Sequence, residues 1–177
     1  MKIKKLIKSL TYIIFSRAAA KKLREERARC RTPEDYINLA FSFIFFPFKF
    51  INIKPGQVQG EILKLLEFLK DRKPQAVLEI GTGSGGTLHS FARISSPAAT
   101  LISVDLPGGF FGGGYRKCKI PFYRSFAEPH QKIHLLRADS HEKDTVDKVG
   151  KILDNSKLDL LFIDGDHTYE GVKRDFE

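Results

Sequence analysis

Residues 77–86, Val-Leu-Glu-Ile-Gly-Thr-Gly-Ser-Gly-Gly, constrain this chain more than any other stretch. An apolar run that breaks into a glycine loop is how a strand hands the chain to a helix beside a nucleotide-like ligand. Gly81, Gly83 and Gly85 let backbone come close to such a ligand where a Cβ would collide. Three more runs read as strands leading into acidic residues. These are Thr100-Leu-Ile-Ser-Val-Asp105, Ile133-His-Leu-Leu-Arg137 before Ala138-Asp139-Ser140, and Leu158-Asp-Leu-Leu-Phe-Ile163 before Asp164-Gly-Asp-His167. Acidic residues at the ends of four strands on one sheet edge predict an α/β fold whose ligand sits along that edge. A helix is expected from Gly85 to about Ser95.

Glu79, expected at the tip of the first strand, bears on the kind of ligand. A carboxylate serves a pyrophosphate poorly and suits a molecule with an ammonium and a sulfonium charge, a description that S-adenosylmethionine fits. Gly81, Gly83 and Gly86 also satisfy the G-x-G-x-x-G pattern of NAD-binding folds, so the loop alone leaves both open. Asp105 is placed to accept hydrogen bonds from two ribose hydroxyls under either reading. Asp139 has two readings of its own, as an acceptor for an adenine amino group or as a helix cap.

Taken together, Glu79-Ile-Gly-Thr-Gly-Ser-Gly-Gly86, Val104-Asp-Leu-Pro-Gly-Gly109, Arg137-Ala-Asp-Ser-His141 and Phe162-Ile-Asp-Gly-Asp-His-Thr-Tyr-Glu-Gly171 resemble class I S-adenosylmethionine-dependent methyltransferases. Within that group the chain is similar to sugar O-methyltransferases and cephalosporin-hydroxylase-like proteins, over roughly residues 55–177. The resemblance implies a Rossmann-like sheet of seven strands, commonly ordered 3-2-1-4-5-7-6, of which the first four are present here, after an N-terminal helical extension. It implies that Glu79, Gly81, Thr82 and Gly83 lie at the methionine end of the cofactor, that Asp105 holds the ribose, and that Asp139 with Ser140 faces the adenine. In the related sugar methyltransferases the segment matching Asp164-Gly-Asp-His167 bears a metal-ligating aspartate and a catalytic histidine. Asp164 is therefore the expected Mg²⁺ ligand and His167 the expected base, with Asp166 beside it. Asp166 and His167 could instead cap a helix starting near Tyr169. The other metal ligands of those relatives follow a fifth strand, so the chain is expected to be a fragment whose activity belongs to a longer parent, with the run Leu158 to Ile163 as an open sheet edge.

The chemistry of methyl transfer agrees with this division. One in-line displacement demands mostly alignment of two reactants. A hydroxyl acceptor, on a sugar, a glycan or another small molecule, also needs its proton weakened by a base or a divalent cation. Carboxylates on a tight turn suit Mg²⁺, and a histidine accepts a proton near neutral pH. The loop Pro107-Gly-Gly-Phe-Phe-Gly-Gly-Gly-Tyr115 reads as a flap over the site. Arg116, Lys117, Lys119 and Arg124 just beyond it could meet an anionic acceptor or form a solvated face.

Charge is placed unevenly. Residues 1–31 carry eleven Lys or Arg against Glu25 and Glu26, while the rest sums to zero. The excess of +9 thus describes an arm and gives no support to nucleic-acid binding by the remainder. In the arm, Ile3, Leu6, Ile7, Leu10, Ile13 and Ile14 recur at helical spacing among Lys2, Lys4, Lys5 and Lys8. Such a helix suits an anionic membrane surface, contacted through residues 1–16, or packs on the domain or a partner subunit. The apolar run Leu10 to Phe15 is short for a signal peptide. Cys30 and Cys118 lack metal or disulfide spacing, which points to a reducing, cytoplasmic setting, at the inner membrane surface if the arm binds lipid.

Between arm and sheet, Thr32-Pro33-Glu34-Asp35 predicts a capped helix start. The Phe-rich segment Tyr36 to Ile53 falls short of a membrane span and is expected to cover the substrate side of the sheet or a dimer contact. A helix is expected over Gln57 to Lys70 with Val58, Ile62, Leu65, Leu66 and Leu69 on its apolar side; the resemblance implies that it packs beside the cofactor, where Gln57 and Glu61 could make polar contacts, with solvent exposure the favoured alternative for both. The expected organisation is an arm at 1–31, a helical segment at 32–55 and a partial methyltransferase domain at 56–177. The rival readings are an NAD-dependent oxidoreductase and a non-catalytic, membrane-associated member of the fold.

Overall fold

The computed structural model describes residues 2–108 and 114–177. Most of the expected flap, residues 109–113, lies outside the described residues. Four parallel strands form one sheet, β1 (Ala76–Ile80), β2 (Thr100–Asp105), β3 (Lys132–Arg137) and β4 (Leu160–Ile163), in the order β3-β2-β1-β4. The first four strands of the expected sheet thus take their expected places. Strand order reverses beside β1, and the crevice outside such a switch point is where open α/β sheets take their ligands. Ile80 stands in register with Val104 and Ile163, so the loops after β1, β2 and β4 leave the sheet at one level.

Alternation along the strands divides the core in two. Val77 and Leu101 face Leu88 and Phe91 of α4 (Gly86–Ile94) and, beyond them, Ile62 and Leu66 of α3 (Gln59–Lys70). Leu78, Ile80, Ile102 and Val104 face the other way, onto Val149, Ile152 and Leu153 of α6 (Lys143–Leu153). With both faces covered, β1 is buried along its whole length, the habit of a parallel sheet.

N-terminal to the sheet lie α1 (Lys2–Arg27) and α2 (Pro33–Ser42). The capped start of α2 is as expected: the Thr32 hydroxyl accepts the Asp35 N–H at 3.1 Å, and the Asp35 carboxylate accepts the Thr32 N–H at 2.9 Å. The helix α1 seats differently from the expected packing. Its buried residues are Tyr12, Ser16, Ala19, Ala20 and Leu23, while Leu6, Ile7, Leu10, Ile13 and Ile14 are exposed. Small residues let this helix approach the body closely, and aromatics finish the contact. Tyr12 meets Phe50 at 5.9 Å and donates its hydroxyl to the Phe50 carbonyl at 3.1 Å, and Phe15 meets Phe48 at 4.6 Å. Phe48 and Phe50 therefore pack on the arm.

Several boundaries shift by one or two residues, and two of the shifts have a visible cause. The α3 helix starts at Gln59, because Val58 is its extended cap residue and points outward. β4 starts at Leu160, since the Asp159 carboxylate is held by the N–H groups of Gln75 and Ala76 at 2.7 and 3.0 Å, which pins the strand's entry. A 3-10 turn at Lys117–Lys119, α5 (Ile120–Arg124) and α7 (Tyr169–Phe176) complete the described elements. No helix among the described residues is long and apolar enough to cross a membrane.

Candidate active site

A cavity of 610 Å³ opens at the C-terminal ends of β1, β2 and β4, a size that takes a cofactor-sized ligand. Residues 54–57 before α3, the glycine loop after β1, the tip of β2, residues 138–141 after β3 and residues 164–167 after β4 all line it. Gly81, Thr82, Gly83, Asp105, Asp139, Ser140, Asp164, Asp166 and His167, all expected from the sequence, come together here. Glu79 does not.

The glycine loop is held against its neighbours on both sides. Gly81 has φ +91, and a Cβ there would stand 2.1 Å from the Asp164 carbonyl oxygen, so only glycine lets this loop lie on the β4 tip. Toward β2, one Asp105 carboxylate oxygen accepts the N–H groups of Thr82 and Gly83 at 3.1 and 2.9 Å. Burial raises the Asp105 pKa, and these bonds oppose it. Asp105 is thus both the loop's clamp and the acidic tip facing the cleft. Beneath the loop, the hydroxyls of Thr82 and Ser103 share a hydrogen bond.

Glu79 departs from its expected place for a reason of pleat. Ile80 is the last residue of β1, so Glu79 points to the same face as Val77, under the first turn of α4. It is fully buried, Thr87 donates its hydroxyl to one carboxyl oxygen, and the residue is absent from the cavity lining. Burial pushes its pKa up to about 8, with the nearby Asp105 and Asp164 adding to the rise. The protonated Glu79 thus packs beneath the loop and is not part of the cavity lining.

At the β4 end, Gln57 donates its side-chain amide to Asp164, which brings the segment before α3 into the site. Of the two alternatives for Gln57, the structure takes the one at the site rather than in solvent, although its partner, 107 residues away, leaves no local signal. Burial raises the Asp164 pKa, while His167 and the Gln57 bond act the other way. Asp166 accepts the Thr168 N–H at 2.8 Å, and Thr168 in turn caps α7 by accepting the Gly171 N–H at 3.1 Å. The first of these bonds lowers the Asp166 pKa. Asp166 therefore has the geometry of the capping alternative, while His167 is exposed at the cavity wall. Among the described residues no three His, Cys, Asp or Glu side chains converge as metal ligands, so Mg²⁺ finds Asp164 without a completing set.

After β3, Asp139 accepts the His141 N–H at 2.9 Å in a turn that precedes α6, and its side chain remains about half exposed. His141, which carries no expected role, also lines the cavity. Its Nε2 lies 3.1 Å from the buried carboxylate of Asp175 on α7, tying the β3 loop to that helix. The base of the expected flap is closed by the Gly114 N–H on the Leu106 carbonyl at 2.8 Å and by Arg137 Nε on the Tyr115 carbonyl at 2.9 Å.

Comparison with known proteins bears on the same region. No curated protein matches the sequence. One solved structure with a similar fold is the O-methyltransferase TomG from Streptomyces achromogenes, involved in tomaymycin synthesis, in complex with SAM. It is 15% identical, with a TM-score of 0.46 over 84% of this chain, and the chain spans 60% of that protein's length. Residues 78–177, which build the sheet and most of the cavity, match the family described as a methyltransferase domain. That match covers more than half of the 177 residues, and the chain belongs to the methyltransferase-domain family.

Proposed function

We propose that this domain binds S-adenosylmethionine in the 610 Å³ cavity and transfers its methyl group to a hydroxyl of a sugar, a glycan or another small molecule. The observation that supports nucleoside binding here is the pairing of Asp105 with the glycine loop, and the methyltransferase-domain match favours S-adenosylmethionine as the ligand. A carboxylate at the β2 tip, fixed by the amides of Thr82 and Gly83, stands where a ribose would be held. The residues present fit the cofactor: Gly81, Thr82 and Gly83 would cradle its methionine end, Asp105 the ribose, and Asp139 with Ser140 the adenine. When bound, it supplies a methyl group on a sulfonium centre, ready for in-line displacement.

The chain's own residues supply alignment and a proton acceptor. The cavity wall holds donor and acceptor together, which for a single displacement is most of the catalytic task. His167, at that wall beside the Asp164 carboxylate, takes the acceptor's hydroxyl proton as its oxygen attacks.

Calorimetry on the whole chain tests this reading, with S-adenosylhomocysteine and NADH as separate titrants and Mg²⁺ added in parallel runs. Heat with S-adenosylhomocysteine and none with NADH is expected. Heat with NADH alone would replace the methyltransferase reading by the oxidoreductase one.

A further inference from the structure

Among the described side chains, one face of α1 packs on the body. Tyr12, Ser16, Ala19, Ala20 and Leu23 are buried against the body, whereas Leu6, Ile7, Leu10, Ile13 and Ile14 are between 49% and 67% exposed. At 100° per residue these five occupy a single stripe, roughly opposite the buried face. Five large aliphatic side chains turned to water along one helix are costly unless something covers them. Residues 1–24 contain eight Lys or Arg and no Asp or Glu, so the stripe lies in a field of one sign. Lys4, Lys8 and Arg17 are all exposed.

We propose that this stripe docks the protein on an anionic lipid surface, with α1 lying in the plane of the interface. Charge decides between possible occupants. A second copy of the helix would bring cations against cations, while anionic headgroups complement them and the acyl boundary accepts the aliphatic stripe. Since no described helix can cross a bilayer, the helix lies on the surface. The buried face of α1 stays engaged with the body, so docking requires no unfolding. This inference is independent of what the cavity binds.

The test is co-sedimentation of the whole chain with vesicles of phosphatidylcholine alone and of phosphatidylcholine mixed with phosphatidylglycerol. Binding to the mixed vesicles at least about tenfold tighter than to the neutral ones is expected, and weaker as salt rises. The double variant Leu10→Ser with Ile14→Ser should lose that binding, as should Lys4→Gln with Arg17→Gln. All four positions are solvent-facing, so an unchanged circular-dichroism melt should confirm that each variant folds. Equal affinity for both vesicles, no binding to either, or binding that survives the Leu10 and Ile14 changes would overturn the proposal. A concentration-dependent dimer abolished by Leu10→Ser with Ile14→Ser would also overturn it, by assigning the stripe to a second copy.

Discussion

Tyr123 donates its hydroxyl to the carbonyl of Gly83 at 3.0 Å, so the glycine loop rests on a fully buried aromatic from α5. Lys119 donates to the same hydroxyl at 3.2 Å, and its ammonium lies over the rings of both Tyr123 and Tyr12. The loop is thus supported through α5 by the N-terminal helix. A neutral hydrogen bond of this kind contributes about 1 kcal/mol. Tyr123→Phe should therefore weaken S-adenosylhomocysteine binding by about fivefold, measured by calorimetry, with the ring packing and the fold retained.

Two glycines of the loop should respond very differently to alanine. At Gly81 a Cβ would meet backbone atoms of Asp164 and Gly165 within 2.7 Å, and backbone cannot give way cheaply. Gly81→Ala should abolish cofactor binding and lower the melting temperature markedly. At Gly83, with φ +51 and nothing within 4 Å of the Cβ, only backbone strain of about 1 kcal/mol applies. Gly83→Ala should fold, with a small loss of stability.

Glu79 makes stability depend on pH. Its carboxyl titrates near 4.5 when exposed and near 8 when folded, so the native state holds a proton that the unfolded chain releases. The stabilisation from this group is fully present below about pH 4.5 and is lost as pH rises through about 8. Thermal melts across that window should show wild type losing stability relative to Glu79→Gln, which keeps the hydrogen-bonding shape without the titration. Parallel curves for the two proteins would contradict the buried, protonated assignment.

The two residues on the turn after β4 should separate. His167→Ala should leave S-adenosylhomocysteine affinity unchanged and reduce methyl transfer to a hydroxyl acceptor by about a hundredfold or more, the usual range for a lost general base. Asp166→Ala should lower the melting temperature slightly, because it removes the turn that leads into α7, and should largely spare turnover. The reverse pattern would move the base from His167 to Asp166.

What the sequence revealed, and what it hid, follows from the range of each interaction. β2 begins and ends at the residues its apolar run predicts, and Thr32 caps α2 as its neighbours require, because both depend on a few adjacent residues. The acidic tips at Asp105 and Asp164 were legible for the same reason. Glu79 was misplaced because apolar neighbours on both sides conceal which face a residue takes, and a shift of one position buries a group expected in the cleft. The packing face of α1 was hidden because Ala19, Ala20 and Ser16 do not register as an apolar stripe, while the more conspicuous aliphatics face water. Gln57 on Asp164 and Arg27 beside Glu128, at 3.6 Å, join segments far apart in the chain and leave no local trace.

Diffraction from crystals of the chain grown with S-adenosylhomocysteine tests the central claim most directly. The account predicts the ribose hydroxyls on the Asp105 carboxylate, the amino-acid end against Gly81 and Gly83, and the adenine beside Asp139 and Ser140. The same ligand bound away from Asp105, with the cleft between β1 and β4 left to solvent, would contradict it.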